Sequence, residues 1–195
     1  MDVATLQEAL PALALAIALA ACAGLRAWLP LLLTGALSRW GLLTLGDSFR
    51  FVGSNKALAI FAIATALELI GDKIPAVDHS LDMLGTVLRP AAGALLAASV
   101  LGHISDPLTA VVLGTAVGAP AALVPHAAKS VLRAASTTLT AGLANPILSV
   151  MEDAATLMLF ALAVLVPLVV IALLAVMLYL VARRFSRSRS VVPTA

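Results

Sequence analysis

The sequence predicts an all-α, polytopic transmembrane bundle whose helices are interrupted or re-entrant, and three observations carry that expectation. First, 62% of the 195 residues are hydrophobic and 11% are charged. Soluble domains run at about 45–50% apolar and about 25% charged, and so short a chain cannot bury the excess. Second, charge-free runs approach or exceed the roughly 20 residues that cross a bilayer core as helix. Third, Gly/Pro pairs and acidic residues interrupt those runs at a few places only.

The first apolar run spans 9–25 and, after Arg26, continues over 27–38. It is too long for one crossing and is interrupted at Gly24 and Pro30, which predicts a full helix followed by a shorter piece. Polar sequence from Arg39 to Lys56 contains the turn signals Gly46-Asp47-Ser48 and Gly53-Ser54-Asn55. Ser54 or Asn55 would cap a helix over 57–70, about 21 Å long and too short to cross alone. It ends at Gly71-Asp72-Lys73-Ile74-Pro75, because the residue before proline is pushed out of α geometry.

A polar helical piece over 77–88 follows, and Arg89-Pro90 would then open a span to about Gly102. The 22-residue uncharged run over 107–128 is expected to break at Gly118-Ala119-Pro120 and at Pro125. A more polar stretch, 129–140, leads to a further break at Gly142 and Asn145-Pro146. The 29 uncharged residues of 154–182 read as one tilted span. Residues 1–182 thus form one transmembrane domain, and 183–195 a basic tail.

That tail holds Arg183, Arg184, Arg187 and Arg189, a third of the basic residues, and accounts for the formal charge of +2. Basic residues directly after a long apolar helix read as a cytoplasmic stop, which puts the C-terminus on the cytoplasmic side of the cell membrane. Without a second basic patch or an aromatic-rich surface, nucleic acid is not an expected partner. The single cysteine, Cys22, precludes an intrachain disulfide. It reads as a packed helix residue rather than a lipoprotein cleavage site, because no basic residue precedes it and apolar sequence follows it.

Gly71, Pro75 and Asp82 share their spacing with Gly142, Pro146 and Asp153. Paired interrupted segments mark a transporter-like duplication, here in halves of about 1–100 and 101–182, inverted or not. Gly114 with Gly118 and Gly93 with Ala97 permit close helix approach, within the chain first and in a homo-oligomer second.

Six of the ten acidic residues fall at two breaks: Glu68, Asp72, Asp78 and Asp82 at the first, Glu152 and Asp153 at the second. Ionisable side chains at membrane depth are costly and face a cavity or a counter-charge. Lys73 and His79 are the nearby counter-charges, and neighbouring carboxylates suit a proton relay or a small-cation site. The functional expectation places Asn145, Ser149, Glu152 and Asp153 opposite the first acidic group. The competing expectation makes Asp72 and Lys73 helix caps, Asp78, His79 and Asp82 the wet face of an interfacial helix, and 145–153 a capped helix start. His103 and His126 read as interface residues, since neither has partners at metal-ligand spacing.

No Walker loop, dinucleotide fingerprint, zinc-protease motif or nucleophile elbow is present, so no cofactor, metal or enzymatic activity is expected. The partners implied are the bilayer and a small cation, a proton or a lipid.

Three stretches together carry a family resemblance: Ala23-Gly24-Leu25-Arg26-Ala27-Trp28-Leu29-Pro30, then Gly71-Asp72-Lys73-Ile74-Pro75-Ala76-Val77-Asp78 through Asp82 to Arg89-Pro90-Ala91-Ala92-Gly93, and Asn145-Pro146 through Glu152-Asp153. They resemble the domain-of-unknown-function family 4126, small bacterial integral membrane proteins, over residues 20 to 165. The resemblance implies a bacterial inner-membrane location and supplies no substrate. Two functional expectations therefore stand: a proton- or cation-linked transporter or channel, and a non-transporting scaffold or accessory protein.

Overall fold

A computed structural model describes residues 3–189; the side chains of 3–6, 75–82, 168, 181 and 185–189 are outside the described set. Eight α-helices and no strand occur among the described residues: α1 (Val3–Leu25), α2 (Trp28–Arg39), α3 (Asn55–Gly71), α4 (Pro75–Leu101), α5 (Pro107–Leu113), α6 (Ala119–Thr140), α7 (Asn145–Leu165) and α8 (Pro167–Arg189). A 3-10 helix, Asp47–Gly53, precedes α3, and a π-helix, Gly114–Gly118, joins α5 to α6. Among the described residues four stretches are long and apolar enough to cross a membrane: Gln7–Leu25, Met83–Leu101, Pro107–Thr140 and Asn145–Leu165. A fifth is available if the bent pair Asp47–Gly53 and Asn55–Gly71 acts as one span. This is a multi-pass helical membrane protein.

The order of close approaches fixes the helix directions. Positions 98, 93 and 86 of α4 meet Gly114, Gly118 and His126 in turn, so α4 and the Pro107–Thr140 rod are antiparallel. The α6–α7 turn sends α7 back toward the start of α5. Leu165 there meets Leu10–Ile17 of α1, while Arg26 just beyond α1 meets Ser149. The chain then reverses at Arg26-Ala27, and α2 returns to the same end, where Gly46 donates its amide to Ser99 O at 2.9 Å. Thus α1 and α2 form a V whose apex lies inside the bundle.

Small residues make this convergence feasible. A Cβ at Gly24 would stand 2.1 Å from Ala122 O, and one at Gly118 would stand 2.4 Å from Gly93 O. Gly93, Gly114 and Gly118 are therefore used in packing within the chain. The core that results is rich in alanine, with Ala16, Ala18, Ala20, Ala23, Ala97 and Ala122 among its buried members, and it draws on both halves of the sequence.

Several expected boundaries need correction. The polar piece over 77–88 and the span beginning at Arg89-Pro90 are a single helix, α4, with Pro90 inside it. Proline removes one backbone bond there, a defect that neighbouring helices tolerate in a membrane bundle. Gly118 and Pro120 do not break the chain: the π-helix widens the turn just before Pro120, and the axis continues through Pro125 and Lys129 to Thr140. The uncharged run 154–182, expected as one span, is divided at Val166-Pro167, where Val166 takes φ −144° and ψ 72°. Pro167 excludes its predecessor from α geometry and has no N–H to offer.

The breaks at Gly24 to Pro30, Gly71 to Pro75 and Gly142 to Pro146 are present. The last is a tight turn with Ala141 and Gly142 both at positive φ, 52° and 83°. Ser54 caps α3, accepting from Ala57 N at 3.2 Å, and Cys22 is buried in α1.

Candidate functional site: a buried charge network at the helix breaks

The three chain breaks converge. Arg26 occupies the apex between α1 and α2, Asp72 lies just after α3, and Ser149, Glu152 and Asp153 lie in the first turns of α7. Lys129 and Arg133, one turn apart on α6, complete the group. Arg26, Asp72 and Lys129 have fully buried side chains.

Asp72 is the hub. Its Oδ2 accepts from Arg26 Nη1, from Arg133 Nη2 at 3.1 Å and from Lys129 Nζ at 3.4 Å. Glu152 Oε2 lies 2.8 Å from Arg133 Nη2, 2.9 Å from Lys129 Nζ and 3.8 Å from Arg26 Nη2. Arg133 also donates from Nε to Glu152 Oε1 at 3.0 Å, a two-point grip that a lysine could not make. Arg26 Nη2 pairs with Asp153 Oδ1 at 2.5 Å and donates to Ser149 Oγ and Ser149 O at 3.0 and 3.2 Å. Three cations thus face three carboxylates, and most pairings are shared rather than exclusive.

The network is sealed at Asp72 and grades outward in exposure. Side-chain exposure rises from 0% at Asp72 to 12% at Glu152, 24% at Asp153 and 43% at Lys73, which reaches Asp153 Oδ2 at 3.5 Å. Along α4, Arg89 is about 18 Å from the helix end at Leu101; along α6, Lys129 is about 16 Å from the end at Thr140. Exposed apolar side chains flank this level on both sides, including Val87 and Leu88 on α4, Leu132 and Leu139 on α6, and Ile147 and Met151 on α7. The charges therefore sit level with an apolar outer surface, Arg133 and Glu152 each seven residues, roughly 10 Å, from the α6–α7 turn.

Adjacent polar groups extend the site. Arg89 Nη1 lies 2.5 Å from His126 Nδ1, so that nitrogen accepts and the ring's proton belongs on Nε2, which faces Thr86 Oγ1 at 3.4 Å. Glu68 is buried and caps α2: Oε1 accepts from Ala27 N at 3.1 Å and Oε2 from Trp28 N at 3.3 Å. A carboxylate at a helix N-terminus answers both its unpaired amides and its dipole.

Of the residues expected at the site, Asp72, Ser149, Glu152 and Asp153 come together in the network, with Lys73 at its wet edge and Glu68 at its inner edge. Asn145 does not join: its Nδ2 donates to Thr137 Oγ1 at 3.2 Å, away from Asp72, and it supplies no cap to α7. Asp78, His79 and Asp82 lie among the residues whose side chains are not described. Arg26, Lys129 and Arg133, which were not among the expected counter-charges, face Asp72. His126 is buried rather than interfacial. The spacing 126, 129, 133 puts three cationic residue types on one face of a helix, and that was the available signal.

Comparison with curated proteins and with solved structures finds no match for this chain. Residues 13–187 do match the family described as Domain of unknown function (DUF4126), and the chain belongs to that family.

Proposed function

We propose that this protein is a proton-linked transporter of the cell membrane and that the buried network is its coupling site. The observation that carries this reading is the graded exposure of a shared network, from sealed Asp72 through Glu152 and Asp153 to Lys73. Buried ions cost several kcal/mol each to desolvate, and apolar replacements of similar volume would hold a bundle as well or better. Retaining four buried ions and two partly buried ones favours a role in which partners are exchanged. A proton reaching Glu152 would release its hold on Lys129 and Arg133, and both already lie within reach of Asp72. A bound metal cation fits less well, since each carboxylate already faces protein cations.

The basic residues after α8 support a cytoplasmic C-terminus. Coupling of this kind does not require the chain to be internally duplicated. The test is pH-driven proton movement into liposomes carrying the purified protein and an entrapped pH dye. Wild type is expected to exceed empty liposomes, with Glu152→Gln reduced to their level while remaining folded; wild type no faster than empty liposomes rejects the proposal.

A scaffold is the second reading, favoured by the matched charges and by the way they tie the ends of α1 and α3 to α6 and α7. Joint replacement Arg133→Met with Glu152→Met separates the two. A scaffold keeps its stability and has no proton movement to lose, whereas a transporter keeps its fold and loses proton movement.

A further inference from the structure

Beside the network lies a cavity of about 250 Å³ lined by Ala27, Trp28, Ala64, Glu68, Gly85 and Leu88, with Leu67 at its outer edge. Its lining residues are apolar apart from Glu68, the Arg89 guanidinium packs beside Gly85 at its edge, and Leu67 and Leu88 at its mouth are exposed. We propose that this crevice binds a small organic monocation, an amine or quaternary ammonium with a compact apolar body, which enters from the side between α3 and α4.

Two features select that chemistry. Among the described residues, Glu68 is the one carboxylate of this region with no cation in salt-bridge contact; Arg26 acts on it at longer range and makes its contacts with Asp72, Asp153 and Ser149 instead. The two bonds Glu68 accepts from Ala27 and Trp28 leave each oxygen a further lone pair. The second feature is Trp28, which lines the same crevice and whose ring is braced by buried Phe61 at a centroid separation of 6.2 Å. An indole face beside a carboxylate is the combination that holds alkylammonium groups. The volume falls below the roughly 300–1,000 Å³ of drug-sized pockets, which restricts the ligand to a small body. A phospholipid amine suits the site poorly, because its own phosphate would be carried toward Glu68.

The experiment uses the purified full chain with Trp40→Phe, which leaves Trp28 as the only tryptophan. Benzyltrimethylammonium is titrated against Trp28 fluorescence, with neopentylbenzene as its uncharged isostere. A saturable change with the cation is expected, at least tenfold weaker for the isostere and for Glu68→Gln. Ala64→Leu, which fills the crevice while leaving the carboxylate and the α2 cap in place, is expected to lose binding by a similar factor. No saturable change overturns the proposal, and so does equal affinity for the isostere. If Glu68→Gln does not fold, full affinity in Ala64→Leu overturns it alone. Equilibrium binding is read without proton movement, so this site and the coupling network can fail separately.

Discussion

Asp72 accepts from three cations with one oxygen while its other oxygen, Oδ1, has no partner among the described residues. Neutralising it leaves Arg26, Lys129 and Arg133 to share Glu152 and Asp153, and breaking a buried ionic group this way typically costs about 3–5 kcal/mol. Asp72→Asn should therefore lower the thermal midpoint of the detergent-solubilised protein far more than Asp47→Asn, whose side chain is exposed. At the membrane surface, Asp106 caps α5. The hydroxyl of Thr109, and then the Thr109 and Leu108 amides, hold its carboxyl below the usual carboxylate range. Its contribution is thus complete above the ordinary aspartate pKa and is lost as pH falls through the lowered folded value. Amide-exchange protection at Leu108 and Thr109 should fall over that acidic window in wild type and be pH-independent in Asp106→Ala. The acidic side of the network could be read from sequence, because an isolated acid in an apolar run stands out. Its basic side was legible only in part: the spacing 126, 129, 133 shares one helix face, but Arg26 reads as an interruption between two apolar stretches and 129–140 as a more polar stretch. Only folding reveals that all three turn toward one carboxylate.

At the scale of the elements, the interruptions are what bring the charges together. The V of α1 and α2 needs Gly24 at its crossing with α6 and Glu68 at the first turn of α2. Adding a methyl at Gly24 drives it into a backbone oxygen that has little room to move, so Gly24→Ala should destabilise by about 1–3 kcal/mol. It should also displace Arg26, visible as lost protection of the Arg26 and Ala27 amides. Proline and glycine marked the breaks at residues 24–30, 71–75 and 142–146 correctly, yet the same signals misled elsewhere. Pro90 and Pro120 sit within continuous rods because packed neighbours and a π-helical turn absorb their missing bonds, whereas Pro167 breaks a run in which the sequence carries no charge. A proline's effect depends on whether adjacent helices can support the defect, and a single sequence does not contain that information.

For the whole molecule, composition was sufficient to place the chain in a membrane as a multi-pass bundle, since no other arrangement disposes of so much apolar surface in 195 residues. What composition could not supply is the depth of the charges, which follows from the antiparallel register of α4 and α6. That register puts the network toward the α6–α7 end of the rods, with exposure rising outward to Asp153 and Lys73. The central claim is that this network exchanges a proton at Glu152, and infrared difference spectroscopy tests it most directly. Acidifying the reconstituted wild type should produce, reversibly, the carbonyl band of one newly protonated buried carboxyl group, and Glu152→Gln should remove that band. Persistence of the band in Glu152→Gln, or its absence from wild type across the range in which the protein stays folded, would contradict the claim.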